Sequence, residues 1–97
     1  MANNFRVDVI NQDTQRLFVR LRGDFDGSSA YHLLRLINNG RMNNKSNSLR
    51  KIMIDTSALR NIHSFGSGLL LANIKSIQNR GADIVFIGRF KRSFAID

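Results

Sequence analysis

The stretch that decides the fold covers residues 51–88 and reads KIMIDTSALRNIHSFGSGLLLANIKSIQNRGADIVFIG. It begins with a short apolar run, IMI, that ends at Asp55, which is typical of a strand buried on both faces. An amphipathic helical pattern follows from Ser67 to about Arg80, and Gly81 is placed to end it. A second apolar run, ADIVFIG, comes next. The stretch therefore predicts a strand, a helix and a parallel strand.

Two runs of alternating apolar and polar residues precede this stretch. FRVDVINQ occupies residues 5–12 and LFVRLRG occupies residues 17–23, with the polar turn DTQR between them. Alternation with period two predicts strands, and a short polar connection joins antiparallel neighbours. We expect a hairpin with one solvated face that carries arginines.

The period then changes to that of a helix. Ala30, Leu33, Leu34 and Ile37 recur at helical spacing. Asp26 or Ser28 is placed to cap the start of this helix, and Asn39–Gly40 is placed to end it. The polar residues that follow, 41–50, predict a solvated, mobile loop.

The predicted order is thus β-β-α-β-α-β, in a single domain over residues 1–97. We expect an α/β fold: a small mixed sheet with an antiparallel first hairpin, then parallel strands, and helices on one face. The last residues, RFKRSFAID, predict the beginning of a further helix with an incomplete pattern. Sites in such sheets lie at the carboxyl ends of the parallel strands, where we place Asp24, Asp26, Asp55 and the HSFGSG loop.

Composition narrows the classes of function. The 97 residues lack cysteine, which excludes disulfides, thiolate catalysis and cysteine-ligated metals and favours a cytoplasmic location. No apolar segment approaches the roughly 18 residues of a spanning helix, so we expect no membrane insertion. A net charge of +8 favours anionic partners. Nucleic acid is an unfavoured partner, because the basic residues are scattered and no aromatic ladder accompanies them.

The HSFGSG loop first suggests a catalytic serine. A nucleophile elbow needs Gly-x-Ser-x-Gly, and Ser67 lacks the first glycine; His63 is adjacent to Ser64, which seldom gives triad geometry. No lysine follows the last glycine, so the loop is not a P-loop. The three aspartates named above have the oxygen ligands that Mg²⁺ takes, but capping and turn roles explain them better. We predict no enzyme, no metal and no cofactor.

A serine at a helix start has two interpretations. Ser64 or Ser67 is placed to act as a simple N-cap. Phosphorylation there would add a charge of about −1.5 to −2, which an exposed helix N-terminus tolerates and an apolar partner surface does not. Such a loop can act as a switch without being an enzyme.

The segments described so far are similar to a known family. KIMIDTSAL followed by NIHSFGSGLLLANIKSIQNRGADIVFIG resembles the STAS domain pattern of bacterial anti-sigma-factor antagonists, and VRLRGDFDGSSAYHLLRLI resembles its earlier strand, Gly-x-x-Asp and helix. The resemblance covers roughly residues 17 to 88. It implies a partner switch: the antagonist binds a serine kinase that is also the anti-sigma factor, and the kinase phosphorylates the first serine of the motif.

Carried over by position, Ser64 matches the phosphoacceptor and Asp26 matches the Gly-x-x-Asp aspartate. The residues expected to bind the partner are Asp24, Asp26, Asp55, His63, Ser64, Phe65, Gly66, Ser67 and Gly68.

The motif departs from the family pattern at three positions. His63 stands where the family has aspartate, Phe65 stands where it has a second serine, and Ser67 replaces a common leucine. These departures leave a rival function open, a STAS subunit of a membrane transport or lipid-trafficking ATPase that is not phosphorylated. A homodimer is also left open.

Overall fold

The computed structural model describes residues 4–13, 15–43 and 50–94. Its elements follow the predicted order. They are β1 (Arg6–Gln12), β2 (Arg16–Phe25), α1 (Gly27–Asn43), β3 (Lys51–Ile62), α2 (Ser64–Asn79), β4 (Asp83–Ile87) and a 3-10 turn (Lys91–Phe94).

The four strands form one sheet in the order β1-β2-β3-β4. β1 pairs antiparallel with β2, whereas β2 with β3 and β3 with β4 are parallel. The predicted mixed sheet with an antiparallel first hairpin is therefore confirmed. The register of β1 shifts between Val9 and Asn11, which is a β-bulge near the end of this edge strand.

One face of the sheet holds the core. On β2 every second side chain is buried, because strand side chains alternate between the two faces. Both helices bury apolar stripes in the same cluster as these strand residues. The largest fully buried side chains include Phe25, Leu21, Leu33, Ile37, Ile52, Ile54, Leu70, Ile74 and Phe94. The predicted placement of the helices on one face is confirmed.

The opposite face of the sheet is left open by the described residues, and it carries one ion pair across the hairpin and one between β2 and β3. Arg22 Nε lies 2.6 Å from Asp8 Oδ2, and Arg20 Nε lies 3.1 Å from Asp55 Oδ2. This confirms the expected solvated, arginine-bearing face.

The ends of three elements differ from their predictions. β3 does not end at Asp55 but continues to Ile62, because Ala58 and Leu59 still pair with β2. α2 begins at Ser64, not at Ser67. α1 continues beyond Asn39–Gly40 to Asn43, since Gly40 keeps a helical conformation instead of the positive φ that ends a helix.

The remaining predictions of this kind concern turns. Gly81 ends α2 with φ of 97°, as expected of a glycine just after a helix. The polar segment 41–50 is helical up to residue 43, and residues 44–49 lie outside the described residues. The last segment forms the 3-10 turn instead of a longer helix, and residues 95–97 are also outside the description.

Candidate functional site

A single residue connects β3 to α2. His63 has an extended backbone, with φ of −89° and ψ of 132°, and its N–H donates to the carbonyl oxygen of Phe25 at 2.8 Å. No side chain among the described residues caps this helix. The N-cap predicted at Ser64 or Ser67 is therefore wrong: Ser64 is already the first helical residue, and the Ser67 hydroxyl donates to the Ser64 carbonyl oxygen at 3.2 Å.

Ser64 is exposed at this uncapped helix start. Its hydroxyl makes no hydrogen bond within the part of the chain that the structure describes. The first turn of α2 itself contains no acidic residue. Because the helix dipole is positive at this end, a negative group on Ser64 is compatible with the helix itself.

α1 begins beside this site and has a side-chain cap. Asp26 Oδ1 accepts the Ser29 N–H at 3.0 Å and the Ser29 hydroxyl at 3.1 Å, and the same hydroxyl lies 2.9 Å from the carbonyl oxygen of Asp24. Of the two predicted caps, Asp26 is thus the one used. This network fixes the start of α1 at the carboxyl end of β2.

The two helix starts are in direct contact through Gly66. A Cβ on Gly66 would lie 2.5 Å from the carbonyl carbon and oxygen of Asp26, so only glycine allows this approach. Gly68, one half-turn further along α2, is different. A Cβ there would meet nothing within 4 Å, so Gly68 is not required by packing within the described chain.

Phe65 projects from the same turn. Its side chain is 73% exposed, which is unusual for a large aromatic residue, and the edge of its ring lies over Gly27. We call His63, Ser64, Phe65, Ser67 and Gly68 the α2 N-terminal surface.

Sequence reasoning missed one feature on α1. Tyr31 is 62% exposed, and together with Ser28, His32 and Arg35 it lines a hollow of about 500 Å³. Tyr31 follows Gly27 by one helical turn, and Phe65 lies over Gly27. The sequence does contain a sign of this feature, because Tyr31 is an aromatic residue outside the apolar stripe of α1.

Asp24 lies where it was expected. It pairs with Asn61 in the register of β2 and β3, and its Oδ1 accepts the Asn61 side-chain amide at 2.9 Å. Asp24 and Asp26 therefore both lie at the carboxyl end of β2, beside the end of β3.

Asp55 does not join them, and its expected place at the end of β3 is wrong. In the register of the sheet it lies beside Arg20 and Ile87, and β3 continues for seven residues to Ile62, about 23 Å of extended chain. Asp55 is 8% exposed; its Oδ2 accepts from Arg20, and its Oδ1 accepts the Ser57 N–H at 3.0 Å.

Asp55 instead lies close against the turn after β4, where the Ser57 hydroxyl accepts the Arg89 N–H at 3.2 Å. Gly88 there has φ of 98°, and a Cβ on it would collide with Asp55 Oδ1 and the Ser57 hydroxyl. Buried Thr56 stabilises the same turn with two hydrogen bonds. Its hydroxyl donates to the Ile87 carbonyl oxygen at 2.9 Å and accepts the Phe90 N–H at 3.0 Å. Within the described ranges, no three histidine, aspartate or glutamate side chains are grouped so that they could hold a metal ion.

The comparison with known families agrees with this arrangement. A model described as the STAS domain matches residues 6–92, which is most of the chain. The chain belongs to the STAS domain family.

Solved structures are similar to this STAS domain over most of its length. One is the anti-sigma factor antagonist SpoIIAA in its unphosphorylated form, with a TM-score of 0.63 and 15% identity over 87% of this chain and 69% of that one. Another is an antisigma-factor antagonist STAS domain from Rhodobacter sphaeroides, with a TM-score of 0.61 and 14% identity over 97% of this chain and 91% of that one. At these identities the likeness shows the fold.

Among the helices of the described residues, none has the length and the apolar character needed to span a bilayer.

The partly buried ion pair between Arg20 and Asp55 gives the stability of this STAS domain a pH dependence. Burial raises the pKa of Asp55, but hydrogen bonds from the Ser57 backbone and hydroxyl and from Arg20 outweigh it, so the pKa lies below the usual value of 3.8. A lowered folded pKa stabilises the fold above the unfolded pKa, and this contribution disappears as the pH falls through the folded value.

We therefore expect Asp55→Asn to lower the free energy of unfolding at pH 7 by about 1–3 kcal/mol, because it removes a charged hydrogen-bond acceptor. The gap between wild type and variant should narrow below about pH 4. Urea unfolding of both proteins between pH 7 and pH 3 measures this difference in the free energy of unfolding. Asp8→Asn is the matched control: its arginine partner is also on β2 but the pair is exposed, so its loss should cost less than about 1 kcal/mol. Equal costs for both variants would contradict this role of Asp55.

Proposed function

We propose that this STAS domain is a non-enzymatic regulatory protein that binds a serine kinase/anti-sigma factor, or a related regulator, through the α2 N-terminal surface. Phosphorylation of Ser64 ends the binding. The observation that carries the proposal is the exposed, uncapped Ser64 beside the exposed Phe65. The proposal places the protein in the cytoplasm, where such a kinase finds ATP.

A binding role suits this surface better than a catalytic one. His63 caps α2 only through its backbone, and its side chain makes no hydrogen bond to Ser64 or Ser67 within the described chain. The Ser67 hydroxyl is used by the first turn of the helix. A serine nucleophile needs a base within hydrogen-bond reach and a group that orients that base, and neither accompanies Ser64 here.

Phe65 defines the chemistry of the partner. A rigid, exposed aromatic ring next to the bare backbone of Gly68 is suited to fill an apolar pocket, as buried aromatic anchors do in protein interfaces. The neighbouring Ser64 would then lie inside the contact. A phosphate on Ser64 would be tolerated by the helix but would bring a charge of about −2 into an apolar interface.

Because His63 and Phe65 depart from the family motif, a second function is also proposed: a subunit of a transport or lipid-trafficking ATPase that is not phosphorylated. In that case the same apolar surface docks permanently. One of the similar structures is named as an anti-sigma factor antagonist in its unphosphorylated form, which favours testing the phosphorylated switch first.

The first experiment maps the phosphate. The protein is incubated with ATP and the serine kinase encoded nearest to its gene, and the modified residue is identified by mass spectrometry. We expect phosphate on Ser64, no modification of Ser64→Ala and normal modification of Ser67→Ala. Phosphate on Ser67 or elsewhere, or none, would count against the switch.

The second experiment measures binding to the same kinase without ATP, by calorimetry. Ser64→Asp should weaken the complex about tenfold or more, which corresponds to about 1.4 kcal/mol, whereas Ser64→Ala should bind within about twofold of wild type. Both variants should melt near the wild-type temperature because Ser64 is exposed. If the partner instead is an ATPase and Ser64→Asp binds it as tightly as wild type does, the second function replaces the first.

A further inference from the structure

A different part of the molecule presents an unpaired strand. β4 is the last strand of the sheet, and within the described chain its outer edge pairs with nothing. The Asp83 N–H donates to the Arg50 carbonyl oxygen at 2.7 Å, so the Asp83 backbone faces β3. Because successive residues of a strand direct their N–H and C=O to opposite sides, Ile84 and Phe86 present theirs at the outer edge. A short apolar strand with free backbone groups is a template for pairing.

A groove accompanies this edge. It has a volume of about 430 Å³, and its apolar lining comes from β4 and the 3-10 turn. Phe94 is buried beside it and stacks on Phe86 with ring centroids 4.9 Å apart. The remaining lining residues are Gln78, Ile84, Val85, Lys91 and Arg92. The edge is therefore flanked by apolar surface on the side of the helices.

The charges along this edge differ in sign between its two ends. Asp83 begins β4 and is exposed, whereas Arg89, Lys91 and Arg92 follow its end and are exposed. The two ion pairs of the described residues include none of these four. β4 itself thus begins with an acidic side chain, whose neighbour in register on β3 is Lys51, and its end is followed by a basic turn.

We propose that this edge binds a second copy of the same chain, with the two β4 strands antiparallel about a two-fold axis at Val85. In this register Ile84 of one copy is opposite Phe86 of the other, and these are the residues whose backbone groups point outward. Each such pair exchanges two hydrogen bonds, so the two pairs form about four. The result is a continuous eight-stranded sheet, with one half from each copy.

The same symmetry matches the charges. An isologous interface brings each end of the strand to the opposite end of its copy, so Asp83 approaches the basic turn of the second copy. The net charge of +8 on each copy opposes association over long range. At about 0.15 M salt the screening length is about 8 Å, which suppresses that repulsion more than the contacts within the interface. A short interface of this kind predicts a weak, concentration-dependent dimer.

This dimer leaves the proposed partner site free. Gln78, beside the groove, is near the C-terminal end of α2, whereas Ser64 begins the helix. Fourteen residues separate them, about 21 Å along the helix axis. The dimer therefore does not depend on the proposed function, and either can fail without the other.

Val85 provides the test. It is half-buried on the open face of the sheet and meets Val85 of the second copy across the axis, at the roughly 4.5–5.5 Å Cβ separation of directly opposed residues. We expect sedimentation equilibrium of the full chain, from roughly 1 to 500 μM, to show a monomer–dimer equilibrium for wild type. Val85→Lys and Val85→Glu should each weaken it at least about tenfold, because they oppose like charges, and an equimolar mixture of the two should dimerise again. Phe65→Ala, on the other surface, should dimerise as wild type does.

A measurement on wild type alone accompanies the variants. In NMR spectra recorded over the same concentrations, the amide signals of Ile84 and Phe86 should shift and their hydrogen exchange should slow, while the amide of Ser64 should not change. The proposal is overturned if wild type stays monomeric at the highest concentration, if both charged variants still dimerise alone, or if those two amides do not respond. A mixture of folded charged variants that stays monomeric overturns it as well.

Discussion

Gly66→Ala should lower the free energy of unfolding by about 2–3 kcal/mol, because it forces a methyl group into a packed main chain. The added Cβ would lie 2.5 Å from the Asp26 carbonyl group and 2.8 Å from the Asp26 Cα. The obstacle is backbone and cannot rotate away as a side chain would. Asp26 also caps α1, so a shift of its backbone would disturb the cap as well.

Gly68→Ala is the matched control, because it makes the same change two residues later in the same helix. Here the new methyl group meets nothing within 4 Å. Alanine favours a helix over glycine by roughly 0.5–1 kcal/mol, so this variant should be slightly more stable than wild type. Urea unfolding of the two variants should therefore give changes in the free energy of unfolding that have opposite signs. Two equally destabilised variants would show that glycine matters for the helix in general and that the contact between the helix starts does not.

This pair also shows where sequence reasoning stops. The strands and helices were predictable because burying one face of each element leaves its period in the sequence. The contact between Gly66 and Asp26 leaves no such record: forty residues separate them, and nothing local distinguishes Gly66 from Gly68. Only the way in which the two helices meet places Gly66 against the Asp26 backbone and leaves the space beside Gly68 empty.

The error at Asp55 has a similar cause. The segment after IMI is polar, and polarity next to an apolar run normally indicates that a strand has ended. Here both residues are buried with their polar groups satisfied, Asp55 by Arg20 and the Ser57 N–H and Thr56 by Ile87 and Phe90 around the turn after β4. A polar residue satisfied by a distant segment is indistinguishable, in a single sequence, from one that faces solvent.

The site was more accessible to prediction where local rules act. Asp26 precedes its helix at the capping position, and it was one of the two caps, with Ser28, that the sequence predicted. For α2 the same rule failed, because the helix begins one residue after β3 ends and His63 takes the capping position without a side-chain bond. That failure matters for function: a serine that capped the helix would have its hydroxyl occupied, whereas Ser64 keeps its hydroxyl available.

The last large effect is expected near the end of the chain, where sequence reasoning found only an incomplete helix. Phe94 is 1% exposed; its ring lies edge-on to Phe25 at 5.1 Å and stacks on Phe86 at 4.9 Å. It therefore joins the end of β2 to the edge strand of the sheet. Phe94→Ala should lower the free energy of unfolding by about 3–5 kcal/mol, as expected for the loss of a buried aromatic side chain.

Phe90→Ala is the matched control for this change. Phe90 is in the same segment but half-buried, with Arg89 over its ring at 5.4 Å, so its loss should cost less than about 2 kcal/mol. Urea unfolding of both variants gives the two costs, and an unchanged m-value would show that the denatured states are comparable. If the 3-10 turn merely frayed from the surface, Phe94→Ala would cost no more than Phe90→Ala. A cost several times larger would instead show that the last turn is part of the core and holds β4 in the position from which its free edge is presented.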